Sequence, residues 1–123
     1  MAGAYDPEFL IDLFAPFARV SVKRMFSGYG IYREGLVFAW ALAEGIFLKT
    51  DEQTAAAFEA AGLAVFVYPT KDGLRSVGSY RRMPDACLDD ENELRHWAGL
   101  AWQAALRAPP KTPAKRLRRP SAD

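Results

Sequence analysis

"RMFSGYGIYREGLVFAW" (residues 24–40) is the stretch whose reading decides the fold. Gly28 and Gly30 flank Tyr29 between apolar runs, as they would in a loop that cradles a phosphate or in a turn that lets two strands pair. Spacing chooses between these. A phosphate-binding loop needs a glycine, four residues, then Gly-Lys-Ser/Thr, and the dinucleotide fingerprint needs a third glycine and a following helix. Here β-forming residues follow Gly30, and a second glycine turn stands at Gly35. The stretch predicts a structural turn or bulge between paired β-segments, with Tyr29 available as a surface contact where the glycines let a partner approach.

On either side the pattern continues. "RVSVKRMF" alternates, "YGIYRE", "GLVFAWAL" and "GIFLKT" follow, and the spacers "SG", "EG" and "EG" favour hairpins because glycine reaches positive φ at little cost. Three or four antiparallel strands are expected between about residues 20 and 50. In the third, Leu36, Phe38, Trp40 and Leu42 share one face and Val37, Ala39 and Ala41 the other. A strand apolar on both faces is central or covered twice.

Helices bracket this block. Asp6-Pro7 opens one, with Asp as N-cap and Pro at the first helical position; Phe9, Leu10, Leu13, Phe14 and Phe17 form its stripe, and Pro16 ends it near Ala15. Thr50 with Gln53 matches a capping box, "TAAAFEAAG" continues as helix, and Gly62 sits where a left-handed C-terminal glycine belongs. "LAVFVY" predicts a strand stopped by Pro69, "TKDG" a turn, and "LRSVGSYRRM" a strand stopped by Pro84. Asp89-Asp90 with Glu93 starts the last helix, whose buried stripe is Leu94, Trp97, Ala98, Ala101, Ala104 and Ala105. The sum is an α+β domain over 1–106: two layers, an antiparallel sheet of about five strands with helices on one face, in the order α-β(3)-α-β(2)-α.

The chain of 123 residues carries one cysteine, Cys87, so no internal disulfide marks a secreted scaffold. No signal peptide is apparent, and the longest apolar stretch, broken by Glu44 and Gly45, is too short to span a bilayer. A cytoplasmic protein without membrane contact is the expectation. Residues 107–123 hold Arg107, Lys111, Lys115, Arg116, Arg118 and Arg119 against Asp123, a net +5, so a whole-chain net of +1 leaves −4 for the first 106 residues. With four prolines and one large apolar residue, 107–123 reads as a basic, disordered tail. It either solubilises the chain or binds nucleic-acid phosphates through Lys111, Lys115, Arg116, Arg118 and Arg119 by counterion release.

"MFSGYGIYREGLVFAWALAEGIFLKTD" resembles the signature of the TfoX/Sxy N-terminal domain family. The residues that carry it are Met25, Phe26, Gly28, Tyr29, Gly30, Ile31, Tyr32, Gly35, Phe38, Ala39, Leu48 and Lys49, then Phe66-Val67-Tyr68, "SYRRMPD" and Trp97. The similarity covers about residues 9–106; Ser27 replaces the family's first glycine, and nothing resembles the second, C-terminal domain of founding members. The resemblance implies a secretion-chaperone-like architecture. It also implies a link to regulators of competence genes that cooperate with the cyclic-AMP receptor protein.

Catalysis is harder to find. Cys87 lies just before a helix, where the positive end would lower a thiol pKa, and His96 follows two turns on, but no third residue orients it. A non-catalytic thiol and a solvated histidine are expected, with no cofactor and no metal site. A small-ligand site at Tyr29 with Arg24 or Lys49 is a further alternative. Tyr32, Phe47, Phe66, Tyr68 and Tyr80 place aromatic bulk on the sheet face away from the helices. Either that face is a surface for a homodimer or a transcription-regulatory partner, or sheet curvature hides the rings within one chain. A non-enzymatic domain working by protein–protein contact is the leading expectation.

Overall fold

The computed structural model describes residues 5–25 and 28–108, with backbone alone at 68–69 and 75–78. Helix α1 (Pro7–Phe14) begins as its sequence dictates, the Asp6 carboxylate accepting from the Phe9 amide at 2.9 Å. Four strands follow: β1 (Ser21–Met25), β2 (Gly28–Arg33), β3 (Leu36–Leu42) and β4 (Gly45–Lys49). Helix α2 (Ala55–Ala60) leads to β5 (Val65–Thr70) and β6 (Gly73–Arg82), and a 3-10 turn (Asp85–Leu88) precedes α3 (Glu91–Arg107). All six strands form one antiparallel sheet, ordered β1-β2-β3-β4-β6-β5. The α+β architecture thus stands, with six strands where about five were expected, because four rather than three precede α2.

The hairpin chemistry was well marked. Glu34 and Gly35 have φ of 51° and 84°, the double positive φ of a two-residue turn whose twist matches the strands. Gly62, at φ 74°, closes α2: its amide donates to the Glu59 carbonyl, and the Leu63 amide to the Phe58 carbonyl. The expected Thr50–Gln53 capping box does not form: α2 starts at Ala55 with Thr54 as N-cap, after a turn over 51–54 that Asp51 closes. Asp51, not Thr50, accepts from the Gln53 and Thr54 amides, and Thr54 Oγ1 accepts from the Asp51 amide. Thr50 is instead tied to the sheet, its amide donating to the Ser79 carbonyl.

Pro69 does not end β5 as expected; the strand runs on to Thr70. Thr70 and Gly73 close a two-residue turn, and ladder pairs alternate. Position 69 is therefore one whose missing N–H would have pointed to the free edge, and β5 is an outer strand.

The helices cover one face of the sheet. Register places Val22, Ile31, Ala39, Leu48 and Arg81 in one row across five strands, beside a second row of Arg24, Tyr29, Ala41 and Ile46. On that face Leu10 and Phe14 of α1, Phe58 of α2, and Leu94, Trp97, Ala98, Ala101, Trp102 and Ala105 of α3 close a single core. Alternation along β3 breaks at one point, and the residues before it change face: Leu36 pairs with Arg33 on the helix side, while Val37 pairs with Tyr32 on the side of Trp40 and Leu42. Ile31 pairs with Ala39 but Tyr32 pairs with Val37, so Phe38 is an inserted, bulged residue. The bulge parts Phe38 from Trp40 and Leu42 and turns it toward the helices, edge-on to Phe14, Phe17 and Trp102 with centroids 5.6–6.2 Å apart. Arg33 closes this end of the core, its guanidinium 5.2 Å above Phe17 and 4.8 Å above Trp102.

Candidate functional site

The glycine stretch is strand. Gly28 and Gly30 lie in β2, followed by more strand and then the Glu34-Gly35 turn, so no helix N-terminus is present to hold an anion. Neither glycine bends the chain through positive φ, contrary to the expectation; each leaves room for a neighbour. A Cβ on Gly28 would collide with the Ala41 carbonyl oxygen, and one on Gly30 would fall 2.5 Å from Met25 Sδ and 2.9 Å from Tyr32 Cε1. Met25 and Tyr32 therefore close over the Gly30 backbone. Phe26 and Ser27 lie outside the described residues.

Of the two small-ligand alternatives, Tyr29 with Arg24 is brought together and Tyr29 with Lys49 is not. Tyr29 and Arg24 are cross-strand partners on the helix-covered side, where Tyr29 is half-buried against the core. Lys49 is on the opposite face, its ammonium 5.2 Å over Tyr80. The lowering of the thiol pKa that a place before a helix would bring is reversed. Cys87 is buried in the 3-10 turn, and burial first, then the Glu93 and Asp90 carboxylates, push its pKa up to about 12. His96 is exposed on α3 with its ring edge-on to Trp97. Among the described residues no group of three or more His, Cys, Asp or Glu is placed to hold a metal ion. No helix among them is long and apolar enough to cross a membrane. A water-sized cleft of about 20 Å³ lies between Tyr5, Gly45, Arg82 and Leu88.

On the uncovered face, register aligns Lys23, Gly30, Trp40, Phe47 and Arg82 across β1, β2, β3, β4 and β6. Trp40 stacks on Tyr80 with centroids 3.9 Å apart and planes 13° from parallel. Phe66 meets Trp40 edge-on at 5.6 Å and Phe47 at 4.9 Å, forming with Leu42 a second, smaller core. Phe47 and Tyr80 are only 5% and 3% exposed, so neither offers surface to a partner, and burial raises the Tyr80 pKa well above the usual phenol range. Tyr32, Trp40 and Phe66 stay half-buried. Of the five rings expected on this face, two are hidden by their neighbours, two stay half-buried, and the Tyr68 side chain lies outside the described residues. Trp40, central to the cluster, was not among those five.

Cations rim the rings. Lys23 lies 5.1 Å over Tyr32, Lys49 lies over Tyr80, and the Arg82 guanidinium is 5.9 Å from Phe47 while donating to the Glu44 carbonyl at 2.9 Å. Each contact is attractive because the ring face carries negative quadrupole. The hairpin of β5 and β6 adds a different surface. Only Tyr80, Arg81 and Arg82 of β6 pair with β4, so the rest of the hairpin extends past the central sheet. Val67 and Leu74 are exposed there at 45% and 77%.

On the helix side, α3 is tied down at its end. Arg107 donates from Nε and Nη2 to the two Asp51 carboxylate oxygens at 2.7 and 3.0 Å, and this two-point pairing holds the Asp51 carboxyl below the usual carboxylate range. The helix thus runs one residue past the expected 106 boundary. Lys111, Lys115, Arg116, Arg118 and Arg119 lie outside the described residues. A family model, the TfoX N-terminal domain, matches residues 12–105. No curated protein matches the chain.

Proposed function

The chain belongs to the TfoX N-terminal domain family, and from that premise we propose that it is a non-enzymatic, cytoplasmic regulatory domain that works by protein–protein contact in transcription regulation. The observation that carries the contact reading is the β5–β6 hairpin. It projects past the sheet and holds Leu74 at 77% and Val67 at 45% exposure, whereas the rings first suspected of binding a partner are largely spent on each other. Apolar side chains that a fold keeps in water at a protruding tip are suited to burial against a second chain.

The test is direct binding of the purified chain, wild type and Leu74→Asp, to purified RNA polymerase and transcription regulators, with light scattering for self-association. A complex or dimer formed by wild type and lost in Leu74→Asp, at unchanged melting temperature, supports the reading. A chain that stays monomeric at tens of micromolar and binds none of them refutes it. Phosphate binding through the basic tail is a separate reading resting on its cations alone, and deletion of residues 109–123 tests it.

A further inference from the structure

We propose that the uncovered face of the sheet is a binding site for single-stranded nucleic acid, distinct from both the hairpin tip and the basic tail. Three observations converge on it. First, the strand positions facing this side carry Lys23, Lys49 and Arg82, and among the described residues none of them is acidic. Carboxylates gather elsewhere: Asp6, Glu8 and Asp12 at α1, Glu59 on α2, Asp90, Glu91 and Glu93 at the start of α3. The first 106 residues net −4, yet this one face is positive.

Second, the cations stand beside ring faces: Lys23 at Tyr32, Lys49 at Tyr80 and Arg82 at Phe47. Tyr32, Trp40 and Phe66 keep part of their surface in water, held by Gly30, Tyr80 and Phe47 beneath and beside them. Rings fixed in place lose little freedom when a flat partner stacks on them. Third, the face is broad. From β1 to β6 there are four strand spacings, about 19 Å, room for several nucleotides between Lys23 and Arg82.

Rings flanked by cations on an open sheet match a ligand that offers flat bases and a phosphate backbone together. Base–aromatic stacking and salt-sensitive phosphate contact are the two terms of sequence-tolerant single-strand binding. A duplex keeps its bases stacked internally and presents no ring to Tyr32 or Trp40. An acidic peptide, or the acidic helix side of a second copy, satisfies the cations but leaves the ring faces unused.

The experiment uses the full chain and a short fluorescein-labelled oligothymidylate or oligouridylate at low salt, with two readouts. Anisotropy registers binding anywhere on the protein, tail included. Tryptophan quenching registers the sheet face, because Trp97 and Trp102 are each only 9% exposed on the helix side. The expected result is saturable quenching that tracks the anisotropy. Tyr32→Ala weakens it by roughly 5- to 150-fold, and Lys23→Ala lowers the slope of log affinity against log salt by about one. Arg95→Ala, on the helix side, changes neither. Should Tyr32→Ala fail to fold, Lys23→Ala decides alone, since Lys23 is exposed. The proposal is overturned by anisotropy without quenching, by Lys23→Ala binding with unchanged affinity and slope, by duplex or polyglutamate competing as well as the single strand, or by no binding at all.

Discussion

The two faces of this sheet are built from the same kinds of residue and end in different states. On one, three helices deliver Leu10, Phe14, Phe58 and Leu94 onto Ile31, Phe38 and Leu48, and all seven are 0–1% exposed. On the other, no helix arrives, and five side chains of four strands shield one another as far as their own bulk allows. Tyr80 and Phe47 are buried by Trp40 and Phe66, which themselves keep part of their surface in water. Apolar content therefore predicts burial poorly on an open sheet face. What decides exposure is whether a neighbour on the same face is tall enough to overhang.

The sharpest way to break the comparison is Phe38→Ala. It removes a fully buried ring from contact with both α1 and α3, and should cost about 3–5 kcal/mol, lowering the melting temperature by more than about 12 °C. Trp40→Ala on the open face should cost less, about 1–2 kcal/mol, from one stacked ring pair and partial burial. If thermal unfolding shows the two losses equal, the faces are energetically alike and the contrast fails.

A finer probe of the covered face is Cys87. Its raised pKa keeps the thiol neutral: this stabilising contribution is complete below the unfolded pKa near ~8.5 and is lost as pH rises toward about 12. An aromatic disulfide reagent at mildly alkaline pH should label it only as fast as the core opens, and immediate labelling would show a covered face that breathes. The smallest effect expected is at Asp51. Its carboxyl pKa is depressed by Arg107, so the pairing contributes above the unfolded pKa near ~4 and fades as pH falls below it. In Asp51→Asn, acid titration of the melting temperature should lose that part of its slope. An unaltered curve would show that the tie does not matter.

Much of the architecture could be read from local chemistry. Asp6-Pro7, the Glu34-Gly35 turn, Gly62 and the Leu94–Trp97–Ala101 stripe are each determined within a few residues, and each appears where expected. What could not be read depends on distant partners. The inserted Phe38 is defined only against Ile31 and Tyr32 of another strand, so alternation along β3 grouped Leu36 and Phe38 with Trp40 and Leu42 although the two pairs lie on opposite faces. Pro69 is tolerated because β5 lies at an edge, a fact set by β6 pairing with β4. Gly28 and Gly30 read as bending residues, yet their role is vacancy, visible only once Ala41, Met25 and Tyr32 are in place. The candidate site divided along the same line: the aromatic content of the open face was legible, while Trp40 as its centre and the cations over Tyr32, Tyr80 and Phe47 emerged only with the register.

Pro69 has one more consequence. The outward border of β5 lacks a donor at that point, so an incoming strand finds a gap where its carbonyl should dock. At the far border β1 carries adjacent Lys23 and Arg24, which repel an identical strand laid alongside. A sheet guarded at both margins resists growing into fibrils, and it leaves side chains, not backbone, to make whatever contacts this protein forms.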